Sequence, residues 1–389
     1  MLTSSQKAII QATVPLLESH GEKLARHFYA LMFDSYPEVR ALFNQTHQAT
    51  GDQARALANS VLMYARHIDD LSPLAPLVSR IVNKHVALQI LPQHYPIVGS
   101  CLLKAIREVL GPQVATDEVL LAWGAAYQQL ADLLISKEEQ LYERNAALSG
   151  GWRGIRRFRI QSITQESLHV RSLILVPTDN KPVLHYRAGQ YIGVRFMIEG
   201  EEVRRNYSIS NPSDGRTLRI TFKHIPGGLA SGYLHQRQEG DELEIFPPAG
   251  DFVLTDSTAP VVLLTAGIGI TPAIPLMQEA LGQHQEVHFI HATHNSNTLT
   301  FASLLTQHKA KEHISLKLCF SQPLPEDRPD ATGHLTDHHL EKWLPSTNDF
   351  HTYILGPVEF MARMKVLLLN RGVSDDRIHY ECFGPHKML

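Results

Sequence analysis

The chain has 389 residues, a formal charge of −3 and a hydrophobic fraction of 43%, which allows about two to three domains, each with a buried core. This charge excludes a nucleic-acid binder with a broad basic face. The three cysteines, Cys101, Cys319 and Cys382, are far apart and form no Cys-x-x-Cys pair, and the first ten residues lack an apolar leader, so a reducing, cytoplasmic setting is expected.

Residues 1–145 read as helices, because their apolar residues recur at intervals of three and four. Leu24, Phe28, Leu31 and Met32 form one such stripe, and Leu57, Val61, Tyr64 and Ile68 form another. Trp123, Tyr127, Leu130, Leu134 and Leu141 line a long last helix, with Thr116 placed as its N-cap. His85 lies four residues after Ile81 and three before Leu88, so it projects from an apolar face. It is either a hydrogen-bonded core histidine or an iron ligand.

Five other positions bear on that choice. Glu138 falls on the stripe of the last helix between Leu134 and Leu141. There it is either a solvated residue near a fraying end or the acceptor for a metal-bound imidazole. Tyr95, past the break at Pro92, is placed to donate to the same group. Gln53 opens the Leu57 stripe, as a surface residue or as a contact to a bound diatomic. Tyr29 sits among Phe28, Met32 and Phe33 and needs a partner if buried. Phe43 is a candidate wedge for a flat cofactor.

Residues 146–154 are small and glycine-rich, a linker candidate. Over 155–256 the period changes to two, as in Val194, Phe196 and Ile198 and again in Leu218, Ile220 and Phe222. Several short strands of this kind predict an antiparallel β-barrel. Over 257–389 strands and helices alternate, which predicts an α/β doubly wound parallel sheet. Ser257–Gln278 has no charged residue and is long enough to suggest a membrane span. Its prolines and glycines favour a strand, a turn and a helix start instead, so no stable membrane insertion is expected.

Tyr29, Phe43, Gln53, Leu57, His85, Tyr95 and Glu138, in this order and spacing, closely resemble the globin domain of bacterial flavohaemoglobins. That resemblance implies haem b with His85 as the proximal iron ligand, Tyr95 and Glu138 behind it, and a distal pocket of Tyr29, Gln53 and Leu57. The later segments agree. Arg205-Asn206-Tyr207-Ser208, preceded by Gly189-Gln190-Tyr191 and followed by Gly227-Gly228-Leu229-Ala230-Ser231, resembles the flavin motif of the ferredoxin–NADP reductase superfamily. It implies FAD contacts from Tyr191, Arg205, Asn206, Tyr207, Ser208, Gly228 and Ser231, with Phe383 stacking on the flavin.

Gly267-Ile268-Gly269-Ile270-Thr271-Pro272 follows a strand and opens a helix, the context a nucleotide phosphate requires. Gly356-Pro357 would approach the nicotinamide. Leu355 stands where the family commonly has cysteine, so a thiol is missing from the hydride path. Lys84 and Glu381 are implied to tune haem and flavin potentials. No arginine follows the second strand at His291–Ser296 to read a 2′-phosphate, which favours NADH over NADPH.

The resemblance implies a nitric oxide dioxygenase, expected to be monomeric, in which NAD(P)H reduces FAD, FAD reduces haem, and O2 held at the haem oxidises NO to nitrate. The rival readings are an oxygen-binding or sensing globin whose reductase only keeps haem ferrous, and a haem-free reductase whose helical half docks an electron acceptor.

Overall fold

A computed structural model describes residues 2–44, 48, 50–309 and 311–384. The chain divides into two compact units, residues 1–147 with 199–205, and residues 148–198 with 206–389.

The first unit is helical: α1 (Ser4–Ala12), α2 (Val14–Ser35), α3 (Asp52–Arg66), α4 (Ala75–Ala87), α5 (Tyr95–Leu110) and α6 (Asp117–Ala147). Thr3 and Gln6 cap α1 reciprocally, each side chain accepting from the other's backbone N–H. Thr116 Oγ1 accepts from Val119 N at the start of α6. That helix ends at Ala147, two residues into the stretch expected to be linker; after Gly124 no glycine or proline occurs before Gly150. The apolar stripes meet in one cluster built on Leu24, Phe28, Met32, Ile68, Ala105 and Trp123. Gly99 lets α5 and α6 cross closely, since a Cβ there would lie 2.5 Å from the Tyr127 ring.

The rest of the chain forms two sheets, the first of which includes the strand Glu201–Ser208, whose first five residues group with the helical unit. In the first, β1 (Arg156–Ser167), β2 (Val170–Pro177), β3 (Tyr191–Ile198), β4 (Glu201–Ser208), β5 (Leu218–Lys223) and β6 (Glu242–Ile245) take the order β4-β3-β6-β1-β2-β5. The β1–β2, β1–β6, β2–β5 and β3–β6 pairs are antiparallel. An isolated antiparallel bridge between Ile209, just past the end of β4, and Ile220 of β5 brings the two edges of the sheet together, as a barrel requires.

The second sheet contains β7 (Val261–Ala266), β8 (Val287–Thr293), β9 (Ile314–Phe320), β10 (Ala331–Thr332), β11 (His351–Leu355) and β12 (Ile378–Tyr380), in the order β10-β9-β8-β7-β11-β12 with parallel pairing. One face packs Leu263, Phe289 and Tyr353 against Ile274 and Met277; the other packs Leu264, Ile290 and Ile354 against Met361 and Leu368. Apolar packing on both faces is why the strands read as continuous hydrophobic runs. The uncharged Ser257–Gln278 stretch becomes β7, a glycine turn and most of a helix (Ile270–Gly282). Among the described residues no helix is long and apolar enough to cross a membrane.

Candidate functional site

In the helical unit, His85 stands on the last turn of α4. Glu138, on α6, is only 2% exposed, which decides against the solvated reading. Its Oε1 accepts from His85 Nδ1 at 2.7 Å and from the Tyr95 hydroxyl at 2.6 Å; Tyr95 Oη lies 3.2 Å from Nδ1. A buried carboxylate needs such donors. With Nδ1 donating to Glu138, the imidazole is held in the tautomer that leaves the Nε2 lone pair available for a metal. Burial, with Glu138 adding to it, drives the Tyr95 hydroxyl far above its ordinary range, so it stays a neutral donor.

Two tyrosines brace this group, and the sequence reading had placed Tyr127 only as core. The Tyr127 hydroxyl donates to the Tyr95 carbonyl at 2.6 Å, and the Tyr142 hydroxyl to the Ile90 carbonyl at 2.8 Å. Arg204, also missed, belongs to the 199–205 segment of this unit. Its guanidinium donates to the carbonyls of Leu88 and Gln89, just past the His85 helix, where the helix dipole favours a cation. No local pattern announces a contact more than 110 residues away. Lys84 is half-buried beside His85.

On α2, Tyr29 is buried and hydrogen-bonded to the Gln53 side chain; burial raises its hydroxyl pKa far above the ordinary value, and the Gln53 bond opposes this only in part. Phe43 meets the Tyr29 ring edge-on at 5.6 Å, and Leu57 packs on the same apolar cluster. A cavity of about 220 Å³ is lined by Arg26, Tyr29, Ala30, Phe33, Gln48 and Ala54.

In the second unit, Tyr191 is buried with its ring against Gly250, where a Cβ would lie 2.9 Å from Cε1. Burial, then Glu381 and Asp251, push its hydroxyl pKa up. Arg205, Asn206, Tyr207 and Ser208 close β4, and the Tyr207 ring stands edge-on to Phe196 and Phe222. Gly228 precedes a short helix (Leu229–His235), and Ser231 Oγ accepts from Ile225 N, fixing that loop. Phe383 is 48% exposed, a ring surface free for stacking.

The nucleotide motifs come together. A Cβ on Gly269 would lie 2.5 Å from the Leu355 carbonyl and 2.7 Å from Gly356 N. The turn after β7 therefore abuts Gly356-Pro357 after β11, where the strand order reverses, which is where open α/β sheets bind ligands. Gly267 is in the left-handed region at φ +54, and Thr271 Oγ1 donates to the Ile268 carbonyl at 3.0 Å. Leu355 is fully buried within the apolar cluster.

Comparison with known proteins divides the chain in the same order. Three family models match: Globin over residues 26–134, Oxidoreductase FAD-binding domain over 157–254 and Oxidoreductase NAD-binding domain over 263–365. A protein of Pseudomonas aeruginosa named "Flavohemoprotein" is 56% identical over 394 aligned residues, covering 100% of both chains. The crystal structure of a flavohemoglobin from Malassezia yamatoensis, with bound FAD and heme, matches 98% of this chain and 100% of that one at 28% identity and a TM-score of 0.88. The FAD/NAD-binding domain of a nitric oxide dioxygenase from Vibrio cholerae is 34% identical, covering 60% of this chain and 100% of its own, with a TM-score of 0.56.

Proposed function

Because the chain belongs to the flavohemoprotein family, we propose that it is an oxidoreductase that consumes NO, O2 and a nicotinamide nucleotide and releases nitrate. The observation that carries this is the buried His85–Glu138–Tyr95 group, which fits an iron ligand and has no evident use in a plain docking domain. When bound, FAD would turn a two-electron hydride donor into a source of single electrons, and haem would supply an iron that takes them and activates O2.

His85 Nε2 would hold the iron. Glu138 and Tyr95 keep the ring in one tautomer and raise its basicity. Phe43 and Leu57 supply apolar walls. Tyr29, fixed by Gln53, presents a neutral O–H donor on a buried site, placed to stabilise negative charge developing on oxygen. Tyr191, Arg205, Asn206, Tyr207, Ser208, Gly228, Ser231 and Phe383 would hold FAD, with Arg205 offering its fork to a phosphate and Phe383 covering the ring. The Gly267–Pro272 turn and Gly356-Pro357 would seat the dinucleotide, and Lys84 and Glu381 would adjust the two potentials. NADH fits the chain better than NADPH, since no arginine lies at His291–Ser296, at the end of β8, to read a 2′-phosphate.

The test is NO and NADH consumption measured together in air on protein loaded with both groups. Converting NO and O2 to nitrate takes one electron and a hydride supplies two, so two NO should disappear per NADH. NADH oxidation indifferent to NO would instead fit an oxygen-carrying globin with a maintenance reductase.

A further inference from the structure

Among the described residues, the cavity beside Tyr29 is lined by the Arg26, Tyr29 and Gln48 side chains and by apolar residues, with no carboxylate. Gln48 Nε2 is buried and has no hydrogen-bond partner among the described residues, an N–H group held out of water, which costs stability unless a ligand or water accepts. The Tyr29 hydroxyl is a second donor, and the Arg26 guanidinium at the rim is permanently charged. Arg26 is held there by its Nε and Nη2, which donate to Glu22 Oε1 at 3.0 and 2.6 Å. It lies across Gly51, where a Cβ would meet Nη2 at 2.1 Å. Glycine at φ +73 thus leaves the room that the guanidinium fills.

A set of donors suits an acceptor-only ligand. Neutral diatomics need only space, but an anion leaving a buried pocket pays for lost hydration. We propose that this cavity is a transit site for a small oxyanion, through which nitrate leaves the Tyr29 pocket on hydrogen bonds from Gln48 Nε2 and Arg26. This rests on the reading of the chain as a nitric oxide dioxygenase. It adds an exit that distinguishes charged from neutral molecules, with Glu22 acting as a counterweight that partly occupies the guanidinium.

Stopped-flow binding of thiocyanate to the ferric haem-loaded protein, followed in the Soret band, tests it against CO binding to the ferrous form. Thiocyanate is an anion at every accessible pH and CO is neutral. Arg26→Gln should slow thiocyanate association by about threefold or more at low ionic strength, and Glu22→Gln should speed it. Both effects should shrink at high salt. Gln48→Leu should slow thiocyanate at either salt concentration. CO association should match wild type throughout. The proposal is overturned if thiocyanate rates are unchanged in Arg26→Gln and Gln48→Leu, or if thiocyanate and CO slow together, which would mark a general distortion. A wild-type protein that shows no Soret band would overturn the haem reading itself, and the transit site with it.

Discussion

His85 Nδ1 lies 2.7 Å from Oε1 of Glu138, a carboxylate only 2% exposed. A buried acid this close to an imidazole holds the proton on one ring nitrogen and makes the other a stronger donor.

Replacing Glu138 with Gln keeps the shape and removes the charge. Haem should still bind, but the iron–histidine stretch in resonance Raman should fall, and NO turnover should drop by roughly 10- to 100-fold. An unchanged stretch would show that the carboxylate does not act on the iron through His85.

Tyr29→Phe should speed O2 release from the ferrous protein and slow NO turnover, because it removes a buried donor. Burial raises the Tyr29 pKa far above 10, so the hydroxyl keeps its proton throughout the alkaline range in which a free tyrosine ionises. O2 dissociation by flash photolysis should therefore be flat from about pH 7 to 10 in wild type. A rise near pH 10 would place Tyr29 in water.

His291 is fully buried, and burial alone pushes its pKa from 6.5 down to about 3. The unfolded chain takes up this proton below pH 6.5, whereas the folded protein refuses it until about pH 3. Stability is thus unaffected by this group above pH 6.5 and is lost as pH falls, by about 1.4 kcal/mol per pH unit within that window. Urea unfolding of wild type and His291→Gln between pH 7 and 4.5 should show a shallower loss in the variant. Equal slopes would mean that His291 titrates in the folded state.

Gly269→Ala and Gly267→Ala should separate two kinds of glycine. At 269 the new Cβ meets backbone at 2.5 Å, so either β11 or the turn must move, costing about 1–3 kcal/mol and slowing flavin reduction by NADH. At 267 the Cβ enters open space and only the left-handed backbone resists, at about 1–2 kcal/mol. Thermal unfolding and flavin bleaching rank them, and slower flavin reduction at 267 than at 269 would contradict the contact.

Periodicity made the helical unit and both sheets legible, because in each the buried positions recur at the spacing of the element. His85 was legible as a candidate for the same reason, standing where a polar group interrupts an apolar face, and Tyr95 by its place ten residues on, past the break at Pro92. Glu138 was ambiguous, since Lys137, Glu139 and Gln140 surround it and only the packing of α6 shows which carboxylate turns inward. Arg26, Gln48 and Arg204 were not legible. Their importance comes from a cavity rim and from distant carbonyls, and neither leaves a repeat in the sequence. The closeness of Gly269 to Leu355 was likewise invisible, because it depends on which strand lies beside β7.

The stretch from Ser257 to Gln278 ends up almost wholly interior, with β7 between β8 and β11 and its helix pressed on the sheet. During synthesis β7 leaves the ribosome long before β11. Until that strand arrives, a sticky segment without a single charge has one flank uncovered, which is the condition for self-association. Cells making this protein should therefore depend on chaperones for the interval, and truncation before residue 351 should yield inclusion bodies rather than a smaller working reductase.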